Sequence, residues 1–203
     1  MSRDEPLVYV VDDDEAVRDS LTLLLKAVGL ASQTFSSAAE FLNDYDREQH
    51  GCLVADIRMP GMSGLDLQDE LNRGGAQIPL IFITGHGDVP MAVDAMKSGA
   101  LDFIEKPFRD QDLLDRVQQA LAWDKERRIE NLKTLAIRER LATLTPRETE
   151  VMECVVQGQA NKVIAMDLGV SQRTVEIHRA RVMEKMAVRS VAKLVRAVEA
   201  AKS

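Results

Sequence analysis

Short apolar runs that alternate with stretches of helical spacing constrain the first half of this chain more than any other feature. Most of the runs are rich in Val and Ile, and they lie at Leu7–Val11, Ala31–Phe35, Cys52–Ala55, Leu80–Ile83 and Leu101–Ile104. The helical stretches that follow them begin near Asp14, Ser37, Gly64, Val89 and Arg109. This alternation predicts an α/β fold, a doubly wound five-stranded parallel sheet with helices on both faces. Because such sheets bind ligands at the carboxyl ends of their strands, functional side chains are expected there.

Acidic side chains follow two of the predicted strands directly. Asp12, Asp13 and Asp14 come after the first strand, and Asp56 ends the third. At one edge of the sheet these carboxylates repel one another strongly unless a cation compensates them. Mg²⁺ commonly binds through one or two carboxylates and water, so the cluster predicts a magnesium site. Solvated loop acids are the alternative.

Two further residues complete a site for phosphoryl chemistry. Thr84 ends the fourth predicted strand, and Lys106 follows the fifth and precedes Pro107. A carboxylate is a nucleophile towards phosphorus and forms an aspartyl phosphate. The transfer needs alignment and positive charge on the phosphoryl oxygens, which Mg²⁺ and a lysine supply while a hydroxyl donates a hydrogen bond. An ordinary surface lysine is the alternative for Lys106.

These segments resemble the signature of a response-regulator receiver domain. The resemblance extends over roughly residues 5–122 and rests on Val10–Asp14, Asp56–Gly64, Thr84–Gly85 and Lys106–Pro107, in that order. It implies a CheY-like, flavodoxin-like fold in which Asp56 is the phosphoacceptor. It also implies that Mg²⁺ is held by Asp13, Asp56 and the backbone carbonyl of Arg58, with Asp12 adjacent or bound through water.

The same resemblance implies a conformational switch. Thr84 and Phe103 match the family's switch pair, in which the hydroxyl moves to the phosphate and the ring turns inward; plain core packing is the alternative for Phe103. The resemblance also implies a cis peptide bond at Lys106–Pro107. The segment from Thr84 to Lys97 is similar to the FixJ branch of regulators. His86 has no base or metal partner in the sequence, and we interpret it as a loop residue.

Charge and composition separate this acidic half from a basic tail. Residues 1–123 have a net charge of −12 and residues 124–203 a net charge of +5, which together give −7 for the chain. An acidic half repels nucleic acid and a basic one attracts it, although an ordinary solvated surface explains a mild positive balance equally well. Residues 124–142 contain neither Pro nor Gly and predict a charged helical linker, continuous with the preceding helix. That linker is either one solvated helix or a helix that pairs with a second copy of itself.

The tail predicts four helices and a helix-turn-helix. Thr145 to Glu148 forms a capping box for the first helix, and the second runs from about Asn161 to Leu168. Ser171 caps the third helix, which ends near Met186, and Ser190 opens the fourth. The predicted domains are therefore a receiver over residues 1–123, a linker over 124–141 and a helical domain over 142–203.

The third tail helix has the composition of a recognition helix. Val175, Val182 and Met186 share a face at helical spacing and are expected in the core. The remaining faces carry polar side chains that we expect to contact bases and phosphates in the major groove, although a solvated amphipathic helix is the alternative. The expected contact set, with the helix's last lysine added, is Arg173, Thr174, Glu176, His178, Arg179, Arg181 and Lys185.

The tail also resembles a known family over about residues 141–203. The segments Leu144–Glu148, Asn161–Ala165, Leu168–Ser171 and Thr174–His178 are similar to those of the LuxR/NarL-type four-helix DNA-binding domain. The resemblance implies that Glu148 is the family's structural glutamate and that the turn lies at Leu168–Val170. Glu176 departs from relatives with a basic residue there, so their base preference does not transfer.

Together the two resemblances imply a FixJ-type transcription factor. A sensor histidine kinase would phosphorylate Asp56 with Mg²⁺, and phosphorylation would promote homodimerisation and binding to promoter DNA, with RNA polymerase as a further candidate partner. The only expected catalysis is the receiver's own phosphoryl transfer and slow autodephosphorylation. One alternative is a phosphoaspartate phosphohydrolase, but Arg58 stands where such enzymes place a second Asp. A second is a receiver whose output binds a protein partner.

The remaining features predict a cytoplasmic protein without a membrane segment. No run approaches the roughly 18 apolar residues that a membrane-spanning helix needs. The N-terminus is acidic, which makes a secretory signal peptide an unfavourable interpretation. Cys52 and Cys154 are far apart in sequence and are expected to be buried thiols in a reducing compartment. There is no phosphate-binding loop of an ATP-driven activator.

Overall fold

The computed structural model describes residues 5–85 and 89–202, and it separates into two compact units. The first unit ends at Arg127 and the second begins at Arg128. His86, interpreted from the sequence as a loop residue, lies outside the described residues.

The first unit is a parallel sheet with interleaved helices. Its strands are β1 Leu7–Val11, β2 Ala31–Phe35, β3 Gly51–Asp56, β4 Leu80–Thr84 and β5 Asp102–Glu105. Its helices are α1 Glu15–Ala27, α2 Ala38–Asp44, α3 Gly64–Arg73, α4 Val89–Lys97 and the start of α5 Asp110–Ala142. The strands pair in the order β2-β1-β3-β4-β5, all parallel, so the predicted α/β fold is confirmed.

Alternating side chains along each strand build a core on both faces of the sheet. In β1, Val8 and Val10 join the cluster that α1 and α5 cover, whereas Tyr9 and Val11 join the cluster under α2 and α3. Burial on both faces explains why the central strands β1, β3 and β4 are nearly continuously apolar, whereas the edge strand β2 is partly polar. Since β1 and β3 are neighbours, their carboxyl ends place Asp12 beside Asp56 at one edge of the sheet.

A buried carboxylate fastens α5 to the opposite edge of the sheet. Asp124, 1% exposed, accepts hydrogen bonds from the Gly51 backbone N–H at 3.0 Å and from Arg127 Nη2 at 2.6 Å. His50 Nδ1 lies 2.5 Å from the same carboxylate, and the Arg127 guanidinium stacks over the ring of Trp123 at 5.0 Å. The sequence predicts for Asp124 only a place in the charged helical linker, and does not indicate this contact.

The helix α5 continues without interruption for 33 residues through the predicted linker. The linker is therefore helical and continuous with the preceding helix, as its composition predicts. The limits 1–123, 124–141 and 142–203 stay predictions; the two compact units divide four residues later, after Arg127.

The second unit contains the end of α5 and four further helices. These are α6 Pro146–Val156, α7 Asn161–Asp167, α8 Gln172–Lys185 and α9 Val191–Lys202. Their apolar faces form one core, and the predicted positions Val175, Val182 and Met186 are all buried in it. Between α7 and α8 the chain turns at Gly169, whose φ of 65° is readily adopted only by a residue without a Cβ.

Two expectations about the rest of the chain have different outcomes. Cys52 is fully buried, but Cys154 is only partly buried because it lies at the edge of the second core. The expectation of two buried thiols is therefore wrong for Cys154. Within residues 5–85 and 89–202, no helix is both long enough and apolar enough to cross a membrane.

Candidate functional site

The candidate phosphorylation site lies where β1, β3 and β5 end. Lys106, the residue after β5, places its Nζ 2.8 Å from Asp12 Oδ2 and 3.0 Å from Asp56 Oδ1. Its backbone N–H donates to the carbonyl of Thr84 at 2.7 Å, which ties the lysine to the end of β4. The structure therefore brings together four of the residues that the sequence singled out.

The side chain of Lys106 is partly buried, and those of Asp12 and Asp56 are almost completely buried. Burial raises the pKa of Asp12, although hydrogen bonds from Lys106 and the Asp14 backbone oppose this shift. Burial by itself disfavours the charged amine of Lys106, but hydrogen bonds to Asp12 and Asp56 outweigh it and raise the pKa of the lysine. Lys106 is thus a fixed positive charge at neutral pH, directed at Asp56.

Backbone hydrogen bonds orient the two carboxylates. Asp56 Oδ2 accepts from the Arg58 backbone N–H at 2.7 Å, and Asp12 Oδ1 accepts from the Asp14 N–H at 2.9 Å. Arg18 Nη1 donates to the Asp12 carbonyl at 2.7 Å. One oxygen of Asp56 therefore faces the lysine while the other is held by the chain that follows it.

Gly64 allows the start of α3 to pack directly against the backbone at the end of β3. Its N–H donates to the Ile57 carbonyl at 2.9 Å, and a Cβ there would lie 2.5 Å from the Asp56 carbonyl oxygen and 2.9 Å from the ring of Phe82. Only a glycine fits this approach. The sequence pointed to Gly64 as a helix start and a motif position, but its closeness to Asp56 comes from the tertiary structure.

The oxygen atoms around Asp56 fit a magnesium ion chemically. The expected donors are the carboxylates of Asp13 and Asp56 and the Arg58 carbonyl, and Asp13 is an exposed side chain next to buried Asp12. Within the described part of the chain, no three or more His, Cys, Asp or Glu side chains are grouped so that they alone could hold a metal ion. Mg²⁺ does not need such a group, because it binds through one or two carboxylates and keeps several waters.

The expected switch residues share one face of the sheet. Thr84 is 1% exposed at the end of β4, and Phe103 is a half-buried residue of β5 that packs against the core under α2 and α3. Phe103 pairs in register with Phe82, which precedes Thr84 by two residues in β4. The side chains of Thr84 and Phe103 therefore point to the same face of the sheet. The Lys106–Pro107 peptide bond is cis, as the family resemblance implies.

In the second unit, one stripe of α8 is open to solvent. Ser171 caps this helix by accepting from the Thr174 N–H at 3.1 Å. Residues three, four and seven apart lie on one helix face, and the exposed set follows this spacing. Its members are Arg173, Glu176, Ile177, Ala180, Arg181 and Glu184.

The expected DNA contacts differ in their surroundings. Arg173, Glu176 and Arg181 belong to the exposed stripe, whereas the other four side chains are partly buried. Arg179 Nη1 donates to Asn161 Oδ1 at 2.6 Å, and Lys185 Nζ donates to buried Glu148 at 2.6 Å. These two side chains have a structural role within the unit, and their contact with DNA stays a prediction.

Ile177 is a surface residue that the sequence interpretation missed. It is 46% exposed in the middle of the polar stripe. The signal was present in the sequence, since Ile177 lies four residues from both Arg173 and Arg181 and off the face of Val175 and Val182. An apolar side chain at this place is suited to a thymine methyl group.

Glu148, at the start of α6, holds the end of α8 through a contact with Lys185. It is 3% exposed, and its carboxylate accepts from Lys185 and from the Thr145 backbone N–H at 2.9 Å. These hydrogen bonds lower the pKa of Glu148 to about 2, and the one from Lys185 has the largest effect. Arg147 also donates to the carbonyl of Leu168 in the turn before α8. The structural role implied for Glu148 is consistent with these contacts.

Two family models match the chain, one for each unit. Residues 8–118 match the response regulator receiver domain, and residues 142–198 match bacterial regulatory proteins of the luxR family. This chain is a response regulator. It combines a receiver domain with a luxR-type DNA-binding domain, the composition of a phosphorylation-regulated transcription factor.

Relatives of this response regulator match it over nearly its whole length. It is 50% identical to the transcriptional regulatory protein FixJ of Azorhizobium caulinodans over 93% of this chain and 90% of that protein. It is 45% identical to the response regulator protein TodT of Pseudomonas putida over 98% of this chain and 88% of that protein. The solved structure of the response regulator StyR matches with a TM-score of 0.86 and 47% identity, covering 96% of this chain and 98% of that one.

Proposed function

We propose that this response regulator is switched by phosphorylation of Asp56 from a partner histidine kinase. The single observation that supports this most is the position of Lys106 Nζ, 3.0 Å from Asp56 Oδ1 in a partly buried site. An Asp56 carboxylate oxygen attacks the phosphorus, the bond from phosphorus to the donor nitrogen breaks, and an acyl phosphate forms on Asp56. The proposed localisation is cytoplasmic.

Each residue of the site has a proposed part in this transfer. When bound by Asp13, Asp56 and the Arg58 carbonyl, with Asp12 adjacent, Mg²⁺ supplies positive charge to the phosphoryl oxygens. Lys106 adds a fixed positive charge, held in place by Asp12 and by its backbone bond to Thr84. Slow autodephosphorylation is the only other reaction proposed for the receiver.

Phosphorylation is proposed to reach the outside of the receiver through Thr84 and Phe103. Because both side chains lie on one face of neighbouring strands, a movement of Thr84 towards the phosphate opens space that the half-buried ring can enter. The surface affected is that of α4 and β5, where Val93 and Met96 are 42% and 44% exposed. Apolar side chains there are suited to homodimerisation, and a dimer presents two α8 helices to two half-sites of promoter DNA.

DNA recognition is proposed to use the exposed stripe of α8. Arg173 and Arg181 supply charge for guanine edges or phosphates, and Ile177 supplies an apolar contact. Thr174, Glu176 and His178 complete the proposed contact set, while RNA polymerase is a proposed partner of the assembled complex.

The decisive experiment compares mass in solution with and without acetyl phosphate and Mg²⁺. We expect the wild-type protein to shift from monomer towards dimer when phosphorylated, and Asp56→Asn to show no shift. Asp69→Asn, which changes an exposed carboxylate of α3, is the matched control and should behave as wild type. A shift that persists in Asp56→Asn would overturn the assignment of Asp56.

A further inference from the structure

Three exposed apolar side chains lie within two turns of α5, in its interdomain part. Ile129, Leu132 and Leu135 are 43%, 66% and 54% exposed, and we call them the linker stripe. At about 100° per residue, Ile129 and Leu135 lie about 60° to either side of Leu132, so the three share one helix face. Single exposed apolar residues are ordinary, but a group on one face is typical of a contact surface.

The linker stripe belongs to neither of the two cores. Leu121, earlier on α5, is buried in the core of the first unit. Ile137 and Leu141, later on the same helix, pack against the core of the second unit. Trp123 of the same helix is also exposed, but the guanidinium of Arg127 lies over its ring, so it is not part of the linker stripe.

Charges at the two ends of the linker stripe favour one particular occupant. Exposed Lys125 and Glu139 lie seven residues before and after Leu132, which is two turns along the same face. Consider a second copy of α5 that packs antiparallel to the first, with the two Leu132 side chains facing each other. Ile129 then lies opposite the second copy's Leu135, and Lys125 lies opposite its Glu139. A parallel arrangement sets Lys125 against Lys125 and Glu139 against Glu139, which is repulsive.

We propose that the linker stripe is a docking surface for a second copy of this chain, paired antiparallel about Leu132. This contact does not depend on phosphorylation of Asp56, and it is separate from the proposed surface of α4 and β5. Three apolar residues per copy bury little area, so the pairing is weak and concentration-dependent. It raises the local concentration of a second receiver before any signal arrives.

The first test measures self-association of full-length Asp56→Asn by sedimentation velocity, so that the phosphorylated receiver cannot contribute. We expect a reversible monomer–dimer equilibrium at submillimolar concentration. Leu132→Glu should raise the dissociation constant at least about tenfold, because two carboxylates would be buried without partners. Leu23→Glu is the matched control, since Leu23 is 69% exposed on α1, and it should leave the equilibrium unchanged. A protein that stays monomeric would overturn the proposal and leave the stripe to a different partner.

Charge reversal then tests the direction of pairing. Lys125→Glu and Glu139→Lys alone should each raise the dissociation constant about tenfold, since each places like charges together twice in a symmetric dimer. The double variant should return to the value of the parent protein. If the double variant associates as weakly as the single ones, or if Leu132→Glu has no effect, antiparallel pairing through the stripe is wrong.

Discussion

Lys106 Nζ donates a hydrogen bond to Asp56 Oδ1 over 3.0 Å, although the two residues are 50 positions apart in the sequence. The contact exists because β3 and β5 end at the same edge of the sheet and the backbone of Lys106 is bonded to the end of β4. It places a charge against the proposed nucleophile before any phosphate arrives, so transfer needs little rearrangement at this point.

Replacing Lys106 should slow phosphorylation far more than it changes the fold. Lys106→Met keeps the length of the side chain but removes the charge, and we expect the rate of Asp56 phosphorylation by acetyl phosphate to fall by about 10²–10³. Lys26→Met, at an exposed position of α1, should have the wild-type rate. Mass spectrometry of the phosphorylated chain against time measures both, and equal rates would rule out the proposed role of Lys106.

A methyl group at position 64 should disturb the packing of α3 against the end of β3, next to Asp56. Gly64→Ala brings a Cβ against the Asp56 carbonyl and Phe82, so we expect a loss of about 1–3 kcal/mol in the free energy of unfolding and slower phosphorylation. At Gly85 a Cβ meets open space, and Gly85→Ala should leave stability unchanged. Urea denaturation of both variants provides the comparison; similar midpoints would contradict the packing argument.

Removing Asp124 should loosen α5 from the sheet. Asp124→Ala leaves the buried Gly51 N–H and the partly buried guanidinium of Arg127 without their carboxylate, and we expect a loss of about 3 kcal/mol in the free energy of unfolding. Asp115→Ala, at an exposed position of the same helix, should stay within about 0.5 kcal/mol of wild type. The fluorescence of Trp123, which stacks with Arg127, reports the transition in urea.

The contribution of Glu148 to stability should depend on pH. Its pKa is about 2 in the folded protein against an ordinary 4.5, so its stabilising effect is fully present above about pH 4.5 and is lost as the pH falls towards 2. Glu148→Gln should therefore unfold at a lower temperature than wild type at pH 7, with the difference shrinking between pH 4.5 and 2. Calorimetry checks this, with Glu199→Gln at an exposed position of α9 as control; a difference independent of pH would refute the linkage.

Two substitutions on α8 should affect DNA binding in different ways. Arg181→Ala should reduce the magnitude of the slope of log K for DNA binding against the logarithm of the salt concentration by about one, if the guanidinium contacts a phosphate. Ile177→Ala should leave that slope unchanged but cost about 1 kcal/mol on a selected operator, because an apolar contact and no charge is removed. Titration of both variants at several salt concentrations separates these effects, and Arg196→Ala on α9 serves as control. Unchanged binding by both variants would exclude this stripe as the DNA-reading face.

Much of the fold and of the candidate site could be predicted because its signals are local. Apolar runs of strand length, caps such as Thr145 and Ser171, and the stop at Gly169 act through neighbouring residues. The acidic residues after β1 and at the end of β3 were expected at one edge because carboxyl ends of parallel strands meet there. The family motifs rest on the same short segments.

Local sequence patterns predicted the succession of strands and helices along the chain, the two-unit organisation and the candidate site residues. The tertiary structure brings Gly64 against the backbone of Asp56, buries Asp124 and directs Lys185 to Glu148, and no local pattern indicates these contacts. The physical reason is that these features depend on pairs of residues distant in the chain, whose approach is set by sheet order and helix packing. A local pattern indicates which face of a helix is polar, but whether each polar group meets solvent or a buried partner depends on what packs against it.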